Sequence, residues 1–137
     1  MEVNHWSLAN GATCVVADIE QSTLTCIDFW LKGGSLCEMK DEEGIAHFLE
    51  HMIFKGSKKL KEGEFDLKIE SLGGSSNAAT GLDDVHYHVL VPPEKIEEGL
   101  ELILELLLFP KIEQDAFEIE KEVVLEEIAQ NIEQPDE

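Results

Sequence analysis

The sequence contains no arginine, and its ten lysines are outnumbered by thirty aspartates and glutamates. The formal net charge is −20 and the calculated pI is about 4.4. Because phosphate binding relies on Lys and Arg, this balance argues against nucleic acid and anionic membranes as partners. An acidic surface would suit basic peptides, although solubility is the simpler explanation for it.

Cysteine and long apolar runs are also scarce. Cys14, Cys26 and Cys37 are odd in number and form no C-x-x-C pair, which predicts reduced thiols and a cytoplasmic location rather than a disulfide framework. The start of the chain, residues 1–6, is polar, and no stretch is long and apolar enough for a membrane span. We therefore expect neither a secretory signal nor a transmembrane helix.

The size of the chain predicts one domain over residues 1–137. With 137 residues, of which 43% are hydrophobic, it can bury roughly two-thirds of its unfolded surface in a single core.

The clearest motif is H-x-x-E-H, formed by His47, Glu50 and His51. On a helix these positions share one face, so two imidazoles and a carboxylate converge. Two neutral imidazoles can bind Zn²⁺ at about 2.0–2.1 Å, and the carboxylate can deprotonate a water that zinc activates. Apolar residues on every side predict a buried helix. The alternative is a hydrogen-bonded pair of core histidines beside a glutamate.

The residues around the motif carry a family resemblance. With Gly44–Ala46 before it and Phe54–Ser57 after it, the motif resembles the insulinase/pitrilysin family of inverted-motif zinc peptidases, which includes the mitochondrial processing peptidases. The resemblance runs over essentially all 137 residues but covers only the first part of a family member. It implies zinc-dependent hydrolysis of peptide bonds.

The patterning predicts an α+β fold in the order βββ-α-α-ββ-α-α, a mainly antiparallel sheet with helices packed on one face. Asn10-Gly11 suits a type I′ hairpin, and apolar residues on both faces of the third strand predict a central position for it. Asp41 to Glu43 are acids placed to open the motif helix. The predicted strands are 6–8, 13–17, 23–32 and 85–91, and the predicted order places a further strand at 75–80. The predicted helices are the motif helix within 44–56 and helices at about 62–72, 94–108 and 114–132.

The segment Ser75–Thr80 is composed of small residues, and sequence alone leaves a strand and a plain loop equally open. Small residues in a strand often mark the close approach of another backbone, and a sheet edge can accept a peptide as an added strand. The resemblance implies the strand, because the matching family segment is the edge strand that binds substrate. Asn77, Ala78 and Ala79 are the substrate-binding candidates.

Two further histidines, His86 and His88, share one face of a predicted strand at metal-ligand spacing. The resembled family places no ligand there, and strand histidines usually pack or form hydrogen bonds. We leave them out of the predicted site.

The last predicted helix supplies the remaining acids. At 100° per residue, Glu120 and Glu127 lie on its apolar side, where an unpaired charge is costly and a cation is needed. Glu127 is at the position of the family's distal zinc ligand, and Glu120, seven residues earlier, matches its supporting acid. The alternative is two glutamates hydrogen-bonded to interior groups.

Together these features predict a zinc-dependent endopeptidase. His47, His51 and Glu127 would bind one Zn²⁺ and leave a coordination position open. Glu50 would be the general base and then the proton donor, and Glu120 would orient a ligand. The substrate would be an extended or unfolded peptide on the edge strand.

A second homologous half completes the site in the resembled family and supplies an arginine and a tyrosine to the substrate. This chain has no arginine, its one tyrosine, Tyr87, falls in a predicted strand, and the sequence ends at residues 134–137. We expect a fragment of a longer enzyme or a subunit that needs a partner half, with homo-oligomers possible. The alternative is a non-catalytic zinc-binding module that docks with a partner. The glutamate of the motif weighs against it, because a structural site is usually closed by four protein ligands.

Overall fold

The structure, a computed structural model, describes residues 1–133, with side chains for residues 1–130. The α+β class is confirmed. The prediction of one domain over residues 1–137 also includes four terminal residues outside this range. The elements are β1 (Glu2–Ser7), β2 (Thr13–Asp18), β3 (Thr25–Lys32), α1 (Ile45–Ile53), α2 (Glu64–Ser71), β4 (Ser75–Thr80), β5 (Asp84–Val91), α3 (Ile96–Leu108) and α4 (Gln114–Glu133).

Within the described residues the strands form two separate antiparallel sheets rather than one. β1 pairs with β2, and the other three strands lie in the order β3-β5-β4. The predicted central position of β3 is therefore wrong, because β5 is central and β3 lies at an edge. In β3, Trp30 and Leu31 are exposed on opposite faces, at 63% and 47%. Apolar residues on both faces show that a strand can be covered, but they do not show which strands pair with it.

The hairpin between β1 and β2 is longer than the two-residue turn predicted at Asn10-Gly11. Ser7 pairs with Thr13, and the N–H of Leu8 is donated to the carbonyl of Ala12 at 2.8 Å. A type I′ turn needs positive φ at both central residues. Gly11 has φ +88°, but Asn10 does not have a positive φ, so the type I′ prediction is wrong.

The core lies between the helices and one face of the three-stranded sheet. Along β5 the burial alternates strictly, and Val85, Tyr87, Val89 and Val91 point inward, as a period of two requires for a sheet covered on one side. Fully buried side chains of the helices complete this core: Met52, Phe65, Ile69, Ile103 and Leu106. No helix among those described is both long and apolar enough to cross a membrane.

The packing of α4 on α1 is what positions the site. The rings of Phe48 and Phe117 meet edge to face with centroids 5.0 Å apart, a geometry that the ring quadrupoles favour. The prediction that α1 is buried on every side is wrong, because Ile45 and Leu49 are 54% and 46% exposed. Only the faces of α1 turned to the core and to α4 are covered within the described residues.

Candidate metal centre

Helix α1 begins with a carboxylate that comes from outside the helix. Glu38 accepts the backbone N–H groups of Gly44 and Ala46, each at 2.8 Å, and so satisfies two donors that a helix start leaves free. These two hydrogen bonds lower the pKa of Glu38. The acids predicted to open the helix, Asp41 to Glu43, precede it, and its first turn contains no acid.

The two motif histidines lie one turn apart with their rings edge to face, 4.6 Å between centroids. Their Nε2 atoms are 3.1 Å apart. Oε2 of Glu127 lies 3.8 Å from Nε2 of His47 and 3.6 Å from Nε2 of His51. Helices α1 and α4 thus bring the three predicted metal ligands together, although they are up to eighty positions apart in the sequence.

These three residues fit a divalent metal. Tetrahedral ligands at 2.0–2.1 Å from zinc are separated from one another by about 3.3 Å, close to the three distances between His47, His51 and Glu127. The side chains of His47 and Glu127 are 39% and 44% exposed, so the site is open on one side. Of the two acids predicted on the apolar side of α4, Glu120 is buried, at 5%, whereas Glu127 is only half-buried.

Glu120 fixes the tautomer of His51. Its Oε1 lies 2.8 Å from Nδ1 of His51, and its Oε2 lies 2.6 Å from Nζ of Lys55. Burial raises the pKa of Glu120, but the hydrogen bonds from Lys55 and His51 outweigh it, and the net pKa is lowered. An ionised carboxylate only accepts, so Nδ1 of His51 donates and Nε2 is left to bind a metal.

Lys55 is a residue of the site for which the sequence predicted no role. Its side chain is only 22% exposed, and its ammonium also lies 3.1 Å from Glu62. Burial lowers the pKa of Lys55, but the hydrogen bonds to Glu120 and Glu62 raise it by more. The available signal was position, since Lys55 follows His51 by four residues and so lies one turn further along.

Glu50 lines a cleft of about 440 Å³ together with His51 and Glu120. Its Oε2 accepts a short hydrogen bond from the hydroxyl of Thr80 in β4. Beneath it, Tyr87 has its pKa raised to about 12, first by burial and then by the charge of Glu50. The sequence analysis assigned no role to Thr80 or Tyr87 beyond the strand, because their proximity to Glu50 depends on how β4 and β5 pack under α1.

The edge strand β4 forms one wall of the cleft. Ser75–Thr80 is a strand, as the resemblance implied, and it pairs only with β5 among the described strands. Asn77 and Ala78 line the cleft. The N–H of Ala78 is donated to the side chain of Asn77 at 2.9 Å. Ala79 pairs with His86 on the outer face of the sheet and does not line the cleft.

The chain is similar to known peptidases in its sequence. The model of the family described as insulinase (peptidase family M16) matches residues 14–137. The chain is 38% identical over 122 residues to the zinc protease PqqE of Helicobacter pylori, covering 88% of this chain and 28% of that protein. It is 31% identical over 121 residues to mitochondrial-processing peptidase subunit beta of Neurospora crassa, covering 88% and 25%.

A solved structure shows the same similarity. The crystal structure of a protease from Helicobacter pylori matches with a TM-score of 0.87 and 35% identity, over 92% of this chain and 30% of that one. The chain thus spans between 25% and 30% of the length of these relatives.

Proposed function

Because the chain belongs to the insulinase family of peptidases, peptidase family M16, we propose that it carries the metal-binding and proton-transferring groups of a zinc-dependent endopeptidase. The observation that carries the proposal is the meeting of His47, His51 and Glu127 beside a carboxylate that faces a cleft. The Helicobacter pylori relative is named a zinc protease and the family is one of peptidases. The activity of this chain is the proposal.

In the proposed site His47, His51 and Glu127 hold one Zn²⁺ through Nε2, Nε2 and Oε2. When bound, zinc supplies Lewis-acid chemistry by polarising a peptide carbonyl and acidifying water. Glu120 keeps His51 in the tautomer that binds metal, and Lys55 keeps Glu120 charged.

Glu50 performs the proton transfers in this proposal. It lies on α1 between the two histidines and lines the same cleft as His51, and it is not among the three grouped ligands. It takes a proton from the attacking water and returns it to the leaving amine. The hydroxyl of Thr80 holds one of its oxygens and so restricts the carboxylate to one orientation.

The substrate proposed is an extended or unfolded peptide added to the edge of β4. Main-chain hydrogen bonds to a free strand edge bind peptides with little dependence on side chain. Asn77 and Ala78 lie at the cleft and are placed for this contact. Ala79 is placed for it only through its backbone, since its side chain is on the outer face beside His86.

Full activity is proposed to need a second homologous half or subunit. Large apolar side chains of the hairpin remain exposed: Val3 52%, Trp6 47%, Val15 64% and Val16 49%. Val3 and Val15 lie on one face of the hairpin and Trp6 and Val16 on the other, and large exposed apolar side chains on both faces support a contact with protein. A cytoplasmic location stays a prediction from the three free thiols.

The test separates metal binding from chemistry. Glu127→Gln should lower bound zinc by about one ion per chain, while Glu126→Gln, at the exposed neighbouring position, should not. Glu50→Gln should keep zinc and lose hydrolysis of an unfolded peptide wherever the parent is active, while Glu43→Gln should keep both. Elemental analysis and peptide kinetics decide it.

Two results would count against the proposal. Unchanged zinc content in Glu127→Gln would remove this ligand from the site. Parental kcat in Glu50→Gln would require another group to activate the water.

A further inference from the structure

The outer face of the three-stranded sheet carries a second group of potential metal ligands, Asp28, His86 and His88, which we call the sheet-face cluster. Each offers one nitrogen or carboxylate oxygen, and these three atoms all lie within 4.8 Å of one another. The cluster uses none of the residues of the α1–α4 site. It lies on the face of β5 opposite Tyr87 and the helices.

Strand geometry places these residues together. His86 and His88 are two apart on β5 and therefore point to the same side of the sheet. Asp28 of β3 pairs directly with His88, and Trp30 pairs with His86. Directly paired residues have Cβ atoms about 4.5–5.5 Å apart, so the carboxylate of Asp28 is within reach of both imidazoles.

The two rings are held in defined orientations. Trp30 stacks on His86 with 4.3 Å between centroids and 8° between planes, and the planes of His86 and His88 are 16° apart at 5.8 Å. Nδ1 of His86 lies 3.1 Å from Oδ1 of Asp28. Side chains restrained in this way lose less freedom on binding a ligand.

One ring nitrogen of His88 is left without a partner among the described residues. Nδ1 of His88 is buried, and no group among the described residues forms a hydrogen bond with it. Buried polar atoms are nearly always paired, and an exception calls for an explanation such as a missing ion or water. An ion pair between Asp28 and His86 would account for those two residues but not for His88.

We propose that the sheet-face cluster is a second metal site, which takes a borderline divalent cation such as Zn²⁺, Cu²⁺ or Ni²⁺. Two imidazoles and one carboxylate are a donor set for these metals rather than for Ca²⁺ or Mg²⁺, which prefer oxygen ligands. Small side-chain rotations bring the three atoms from within 4.8 Å to the separation of about 3.3 Å that tetrahedral zinc needs. The net charge of −20 favours cation binding in general.

The experiment is a Zn²⁺ titration of the metal-free full chain by calorimetry. The five histidines divide into two sites and one control. The parent should bind about two ions per chain, His47→Ala/His51→Ala about one, and His86→Gln/His88→Gln about one. Combining all four substitutions should abolish binding, and His5→Gln, on the exposed face of β1, should bind as the parent does.

Each outcome bears on one site. If His86→Gln/His88→Gln still binds two ions, or His47→Ala/His51→Ala binds none, the sheet-face site is overturned. If His86→Gln/His88→Gln binds none, the α1–α4 site fails instead, so the two proposals fail separately.

A milder variant covers the case in which the double variants fold poorly. Asp28→Asn, in the otherwise unchanged chain, alters a side chain that is 28% exposed and should weaken the binding of one of the two ions by more than the about 10–100-fold that loss of an outer partner costs. Asp18→Asn is the matched control in β2. Equal affinity in the parent and Asp28→Asn would overturn the proposal.

Discussion

Nζ of Lys55 lies 2.6 Å from one oxygen of Glu120, and Nδ1 of His51 lies 2.8 Å from the other. A single buried carboxylate therefore links a lysine outside the motif to a predicted metal ligand. The lysine keeps Glu120 ionised, and the ionised carboxylate keeps the Nε2 lone pair of His51 available. The predictions for Lys55 and Glu120 follow from this link.

Replacing Lys55 should destabilise the fold. Lys55→Met leaves one oxygen of buried Glu120 without its charged partner, and an unsatisfied buried acceptor costs about 1–3 kcal/mol. We expect that loss in the free energy of unfolding, measured by urea titration of metal-free protein. Lys61→Met, at an exposed position, should change it by less than about 0.5 kcal/mol. Equal effects of the two substitutions would show that the Glu120 contact does not stabilise the fold.

Replacing Glu120 should weaken metal binding without removing a ligand. Glu120→Gln still accepts from His51 but no longer carries the charge that strengthens the imidazole as a donor, so zinc affinity should fall about 10–100-fold. A competition titration in the His86→Gln/His88→Gln background measures the α1–α4 site alone. Glu122→Gln, on the exposed side of α4, is the control. An unchanged affinity in Glu120→Gln would limit this residue to a structural role.

The aromatic contact between α1 and α4 should matter for the metal although neither ring touches it. Phe117→Leu keeps an apolar side chain but loses the edge-to-face pair with Phe48, worth about 0.5–1.5 kcal/mol beyond buried area. Because α4 carries Glu127, we expect zinc affinity to fall by up to about tenfold. Ile119→Leu, 66% exposed on the same helix, should leave it unchanged. Parental affinity in Phe117→Leu would mean that other contacts fix α4.

The carboxylate at the start of α1 should give stability a pH dependence. The pKa of Glu38 is lowered from 4.5, so the unfolded chain binds its proton more readily. Its contribution is complete above pH 4.5 and is lost as the pH falls through the lower folded value. At about pH 7 the Tm of Glu38→Gln should therefore be lower than that of the parent. This difference in Tm should shrink below pH 4.5. A difference in Tm that is constant with pH would contradict the assignment, and Glu43→Gln is the control.

The isolated chain should hydrolyse peptides weakly. It holds the predicted metal ligands and base but spans 28% of the related zinc protease, and loss of one oxyanion donor alone costs about 10²–10³ in rate. A homologous second half, added in cis or in trans, should raise kcat by at least that factor. Peptide kinetics on a strictly monomeric preparation check this. Turnover by the isolated monomer at about 10 s⁻¹, the median for enzymes, would show that no partner half is needed.

The residue pattern along the chain was sufficient to predict the features that depend on a single helix or strand. The spacing of His47 and His51 placed two ligand atoms on one face of α1, and the period of two placed His86 and His88 on one face of β5. The helical angle of Glu120 predicted its burial. Each follows from a period within one strand or helix.

What could not be predicted depends on how elements meet. The edge position of β3, the partnership of Lys55 with Glu120 and the approach of Thr80 to Glu50 all join residues from different elements. The same applies to Glu38, whose carboxylate reaches the helix start from six residues earlier. Periodicity identifies the face of an element but not its neighbour, so one sequence could place Lys55 one turn after His51 but could not show which side chains meet.

The hydrogen bond from Ala78 to the side chain of Asn77 has a consequence for any peptide that docks on β4. The side-chain oxygen of Asn77 accepts the main-chain N–H of Ala78 at the open edge of β4. Asn77 therefore competes with the carbonyl oxygen of an incoming peptide for this N–H group. A peptide gains that donor only by displacing Asn77, and the net gain is the difference between two similar hydrogen bonds. The same competitor occupies a donor that a β-strand of another copy would use, so it also opposes growth of the sheet from chain to chain.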